Sequence, residues 1–160
     1  MAISPDRFRK VLSKFASGVT IVTLKNDEGI HGLTVNAFAS VSLEPPLVLI
    51  CIQKNGASHS ALSQSEHFVV NILSEDQSEL ADRFADSKLS SLERFDAVTF
   101  HSSKTDIPIL DGVLCHLECR IVNEFNAGDH TIFLGEVDAA EIDDSSARPL
   151  LFYNSKYFIK

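Results

Sequence analysis

Two long segments of alternating side chains, joined by a short polar turn, constrain this chain more than anything else in it. Residues 113–125, VLCHLECRIVNEF, put Val113, Cys115, Leu117, Cys119 and Ile121 on one side and His116, Glu118 and Arg120 on the other. That is the period of two expected of a strand with one buried face. The turn NAGD (126–129) follows, and HTIFLGEVDAAEI continues as a second strand. Strands joined this closely run antiparallel, because a parallel pair needs a crossover of a dozen residues or more.

The remaining apolar segments fit the same plan. VTIVTL (19–24) is β-branched and ends in the polar turn KNDEG, and a further strand is expected from His31. LVLICI (47–52) and HFVVNIL (67–73) are unbroken apolar runs of strand length, as expected of strands buried on both faces. PLLFYNSKYFI (149–159) reads as a closing hairpin. Two segments read as helices. SPDRFRKVLSKFASG has Ser4 as cap and Pro5 at the first helical position, puts Phe8, Val11, Leu12 and Phe15 on one face, and is expected to end at Gly18. SEDQSELADRFADS pairs Ser74 with Gln77 as a capping box and aligns Leu80 with Phe84. Six to eight strands and two or three helices without a βαβ rhythm imply a mainly β fold, an antiparallel barrel with helices over its ends, as one domain over residues 1–160.

Charge and motifs narrow the function. The 14 basic and 22 acidic residues leave a net charge of −8, which disfavours nucleic acid and anionic membranes as partners. No apolar run reaches the roughly 20 residues of a membrane helix, the N-terminal segment lacks the order of a signal peptide, and three cysteines do not suggest a disulfide framework. A cytoplasmic location is expected. Neither G-x-G-x-x-G after a strand, nor a Walker A sequence, nor G-x-S-x-G is present. Cys115 and Cys119 would stand about 13 Å apart on a strand, too far to share a zinc ion with His116. They read as buried thiols, and no metal is expected.

Three stretches carry small or polar groups that a core does not need. HGLTVNAFASVSLEPP (31–46) is short of bulky side chains. It is either a tight loop or a place where a ligand comes close to main-chain N–H groups. If it is extended, Ser40 and Ser42 alternate with Val41 and both hydroxyls face one way. In QKNGASHS, Lys54, Ser58 and His59 precede a helix start, which suits either a phosphate or a solvated turn. AGDHTIF sets Asp129 and His130 where the hairpin turn meets its strand.

In order, FRKVLSKFASGVTIVT, HGLTVNAFASVSLEPPLVLICI, HFVVNIL, LADRFA, LECRIVNEFNAGDHTIFLGEV and PLLFYNSKY resemble the flavin reductase family with the FMN-binding split-barrel fold, over about Phe8 to Tyr157 and including the family's GDH. Within that family the likeness is to the small reductase components of two-component aromatic (phenol and 4-hydroxyphenylacetate) monooxygenases. The resemblance implies a homodimer that transfers hydride from NADH or NADPH to FMN or FAD and passes reduced flavin to a partner oxygenase. It places Thr34, Val35, Asn36 and Ala37 along the isoalloxazine, with Ser40, Val41 and Ser42 continuing that wall. It sets Lys54, Ser58 and His59 near the ribityl phosphate and completes the flavin site with Arg83 and Phe84. Asp129, His130 and Tyr157 fall on the nicotinamide side, with His130 positioning the nicotinamide. Small side chains would then let amide N–H groups reach the acceptors O2, O4 and N5 of the ring. Three other readings suit such a barrel: a bound-flavin reductase acting on a corrinoid or metal chelate, a non-enzymatic flavin- or haem-binding module, and a structural interaction protein.

Overall fold

The computed structural model describes residues 3–143 and 146–158. Its first half comprises helix α1 (Pro5–Leu12), strands β1 (Ser17–Gly18), β2 (Thr20–Asn26), β3 (Gly29–Val35), β4 (Phe38–Leu43) and β5 (Pro46–Gln53), and helix α2 (Ala57–Ser63). Strand β6 (His67–Ile72) and helices α3 (Ser78–Ala85) and α4 (Ser91–Phe95) follow. The chain then forms β7 (Phe100–Ser102), β8 (Pro108–Leu110), β9 (Cys115–Ala127), β10 (His130–Ile142), β11 (Leu151–Tyr153) and β12 (Lys156–Phe158). The twelve strands and four helices among the described residues exceed the number expected. Part of the excess is β1, β7 and β8, which at three residues or fewer leave no readable period.

The expected hairpin is β9–β10, paired from His130↔Ala127 to Ile142↔Cys115. Its turn is Gly128–Asp129, where Gly128 takes a φ of +64° that an L side chain resists. Two register shifts leave Val122 and Asp138 without a cross-strand partner. The expected faces of β9 hold only in part. His116 is 4 % exposed, because the β7–β8 hairpin lies over the start of β9 and brings the His101 ring to 6.3 Å from it. The His116 ring is satisfied by Asp143, whose carboxylate lies 2.9 Å from Nδ1.

The main sheet runs β3-β2-β6-β9-β10-β5-β4. Its edge strands β3 and β4 are consecutive in the chain, so the link Asn36–Ala37 rolls the sheet into a barrel. The Cys51 N–H donates to the Ala37 carbonyl across the join at 3.0 Å. Val22, Leu24, Ile50, Phe68 and Phe133 fill the interior, and Ala61 and Leu62 of α2 close one end. A second core lies outside β2, where Val19 and Ile21 meet Phe84, Phe95, Leu110 and Leu150. Strand β2 is therefore buried on both faces. Buried Asn71 ties β8 to this wall, donating to the Ile21 carbonyl at 3.0 Å and accepting from the Leu110 N–H at 2.9 Å.

Several expectations are corrected. Helix α1 stops at Leu12, and Ser17–Gly18 pairs with β11 instead of extending it. Its aligned apolar residues stay in solvent, Phe8 at 50 % and Phe15 at 79 % exposure. Gln77 accepts from the Ser74 N–H, but the Ser74 hydroxyl turns to Asp76 and the Gly112 carbonyl, and α3 begins at Ser78. A complete capping box occurs instead at Ser90 and Glu93 of α4. Strand β5 buries only Val48, Ile50 and Ile52, its other face being half-covered, whereas β6 is buried on both faces as expected. The closing hairpin turns through Asn154 and Ser155, both at positive φ; Ile159 lies outside the described residues.

Candidate functional site

A hollow of about 330 Å³ opens where the barrel is joined. The end of β3 and the link, Thr34 to Ala37, make one wall. The end of β5 contributes Cys51 to Gln53, and the turn into α2 contributes Gly56, Ser58 and His59. Phe84, Ala85 and Arg94 come from α3 and α4, and His130 stands at the start of β10. Two further hollows adjoin it. One of about 310 Å³ shares Thr34, Asn36 and Ala85 and reaches Phe152 and Tyr157. The other, about 370 Å³, shares Asn36, Ala37 and Cys51 and reaches Leu12 and Phe15.

The walls are set by close packing. A Cβ at Gly32 would overlap the Phe84 ring and come within 3.1 Å of Phe95, so only glycine lets Phe84 lie against β3. Phe84 and Phe95 meet edge to face at 5.0 Å. The Thr34 hydroxyl donates to the Ala81 carbonyl at 2.6 Å and holds α3 to the same strand. Asn36 and Ala37 are exposed and lie outside the strand ladders, so an unladdered link borders the space.

Polar groups gather at the β5–β10 side. His130 Nδ1 is 2.8 Å from the Asp129 carboxylate. That bond, with the charges of His130 and Lys54, holds the Asp129 carboxyl below the usual carboxylate range. His59 Nε2 lies 2.8 Å from the Thr131 hydroxyl, with its ring edge-on to Phe133 at 5.7 Å. Lys54 donates from Nζ to the Gly128 carbonyl at 2.8 Å and from N–H to the Asp129 carbonyl at 3.0 Å. In the adjoining hollow, burial first and then the Asp82 carboxylate push the Tyr157 hydroxyl up to about 12.

The structure thus gathers Thr34, Val35, Asn36, Ala37, Ser58, His59, Phe84 and His130 around one space. Asp129 stands behind His130, and Tyr157 lies next door. Ser40, Val41 and Ser42 are not brought to it. They run along edge strand β4, where a bulge at Val41 sets Ser40 opposite Val48 and Ser42 opposite Leu47. The two hydroxyls therefore face opposite sides of the sheet, contrary to expectation. Lys54 is spent on the β9–β10 turn. Arg83 faces α4, donating to the Arg94 carbonyl at 2.9 Å and the Glu93 carbonyl at 2.6 Å. The arginine that lines the hollow is Arg94, which sequence reasoning missed. Its one signal was the dipeptide Arg-Phe, which the chain carries at 7–8, 83–84 and 94–95. Among the described residues no cluster of three or more His, Cys, Asp or Glu suits a metal ion, and no helix is long and apolar enough to cross a membrane.

An antiparallel barrel split along one join, with its open space at that join, is the class this geometry defines. The chain belongs to the family described as the flavin reductase like domain, which matches residues 12–159. It is similar to the FMN reductase (NADH) SmoA of Agrobacterium fabrum, 42 % identical over 145 residues that cover 91 % of this chain and 80 % of the relative. It is also similar to HsaB of Rhodococcus jostii, the reductase subunit of a flavin-dependent monooxygenase, 40 % identical over 157 residues, 98 % of this chain and 78 % of the relative. Among solved structures, the NADH:FAD oxidoreductase SgcE6 of Streptomyces globisporus, in complex with NAD and FAD fragments, superposes with a TM-score of 0.89 at 36 % identity, covering 99 % of this chain and 95 % of that one. The residues present fit a flavin: the bare link supplies a surface for a flat ring, and buried Arg94 Nε has no hydrogen-bond partner among the described residues.

Proposed function

We propose that this chain is an NADH-dependent flavin reductase, one domain that reduces FMN or FAD and supplies it to a separate monooxygenase component. The observation that carries this reading is the open hollow on exposed Asn36 and Ala37 with His130 at its edge. Bound there, a flavin supplies the acceptor for the hydride that NADH donates. The chain's own work is placement, which accounts for a large part of the barrier when two reactants must meet. Asn36 and Ala37 let the ring approach main-chain N–H groups. Phe84, packed on Phe95, fixes one wall. Asp129 holds the His130 imidazole through Nδ1, so that Nε2 is turned to the nicotinamide. Tyr157 borders the same side from the adjoining hollow. No nucleophile is required.

The exposed apolar side of α1, with Leu43 at 91 % exposure on β4, supports a homodimer. An obligate interface of that kind buries roughly 2,000 Å² or more in total. Three free thiols accord with a reducing, cytoplasmic setting. Anaerobic mixing of the protein with NADH and FMN or FAD tests the function. Bleaching of the flavin absorbance at a rate proportional to protein is expected; bleaching no faster than in protein-free buffer refutes it. An NADPH arm settles the nucleotide, and gel filtration with light scattering settles the dimer.

A further inference from the structure

When no partner takes it up, O2 draws two electrons and two protons from reduced flavin, giving oxidised flavin and hydrogen peroxide. A flavin reductase therefore works beside an oxidant that its own product forms. The protein groups most open to that oxidant are thiols and thioethers. Residues 2–160 contain no methionine. The thiols are Cys51, Cys115 and Cys119. The form that reacts is the thiolate, which attacks one peroxide oxygen, breaks the O–O bond, expels hydroxide and becomes a sulfenic acid.

Each thiol is placed where that step is slow. Cys119 is buried in the barrel core with Phe68 and Phe133, and its Sγ–H donates to the Leu117 carbonyl at 3.8 Å. Burial, followed by the Asp138 and Glu118 carboxylates, pushes this thiol up to about 12. Cys51 and Cys115 are half-buried. Burial raises both, and the Asp143 carboxylate adds to it at Cys115. Among the described residues no lysine, arginine or histidine is hydrogen-bonded to a thiol. The thiols also stand too far apart to trap one another. Cys115 and Cys119 are about 13 Å apart along β9. Cys51 lies on β5, with β10 between it and β9, two strand spacings or about 10 Å away at the least. A disulfide needs Cα atoms within about 7 Å. Cys51 borders the hollow itself, so of the three it meets the oxidant first.

We infer that the chain withstands the hydrogen peroxide that its own product forms: its three thiols stay reduced and its activity outlasts an exposure that oxidises the same thiols in the unfolded chain. This rests on the chain being a flavin reductase. The resistance comes from where the fold puts the thiols and from the lack of internal methionine.

The test exposes the flavin-free full chain to excess hydrogen peroxide, native and unfolded in urea, for the time in which the unfolded chain loses half its thiols. Catalase then removes the peroxide, mass spectrometry reads the three cysteine peptides, and bleaching of FMN by NADH reads the activity. The native chain is expected to keep its activity and to lose thiol at least tenfold more slowly at Cys119 and at least threefold more slowly at Cys51 and Cys115. A smaller ratio at any of the three overturns the inference. So does a loss of activity with all three thiols intact, since another group would then be the sensitive one. Protein never exposed to peroxide that fails to bleach FMN refutes the reductase reading beneath, whatever the thiols do; thiol loss in the native chain refutes this inference and leaves that reading standing.

Discussion

Val35 and Asn36 are neighbours in the chain and both border the hollow at the join, yet one is packed and the other open. Val35 is buried inside the barrel with Val48, Ile50 and Phe133; Asn36 is exposed and lines all three hollows at the join. Strand β5 shows the same contrast, with Ile50 fully buried in the barrel and its half-buried neighbour Cys51 at the hollow. The interior is packed with branched and aromatic side chains. The join is where the chain passes from one sheet edge to the other, and there the main chain is uncovered. Interior residues should therefore govern stability, and residues of the join should govern ligands.

Breaking the interior should have the largest effect. Phe68→Ala removes a fully buried ring and should cost about 3–5 kcal/mol, measured as a fall in the urea midpoint; a loss of flavin affinity without loss of stability would contradict the division. At the join, Ala37→Leu should raise the Kd for FMN about tenfold, roughly 1.4 kcal/mol, with a thermal midpoint within about 2 °C of wild type. Unchanged affinity would mean that Ala37 does not face the ring. His130→Ala should raise KM for NADH several-fold and leave flavin binding within twofold, as steady-state kinetics beside a flavin titration would show.

The smallest effect is on pH dependence. His31 bridges Asn26 and Ser91 through its two ring nitrogens, and burial, aided by the charge of Arg94, lowers its pKa below the usual histidine value against the opposing pull of Glu28. The unfolded chain therefore binds more protons at this residue than the folded one as pH falls below about 6.5. Its contribution to stability is present above that pH and is lost as pH falls towards the depressed native value. Urea melts of wild type and His31→Gln between pH 7.5 and 5 should show a shallower dependence in the variant; equal slopes would remove His31 from the account.

What the sequence disclosed follows from the range of each signal. The β9–β10 hairpin was legible because alternation and turn are both local. The small residues at 34–37 were legible because missing bulk shows in the letters themselves. The facing of Ser40 and Ser42 was not, because a bulge at Val41 is decided by pairing with β5. Arg83 and Arg94 each precede a phenylalanine, and only the packing of α3 against α4 decides which one lines the hollow. The end of α1 was missed because Ser17 and Gly18 are taken up by β11, more than 130 residues away in sequence. His116 reads as solvent-facing until the β7–β8 hairpin is laid over it.

The claim beneath all of this is that a flavin ring rests on the uncovered main chain at the join, with its outer face left open beside His130. A crystal structure of the protein grown with FMN tests it most directly. The ring is expected against Asn36 and Ala37, with its far face accessible from the His130 side. Density for the ring elsewhere, or a ring enclosed on both faces, would contradict the account.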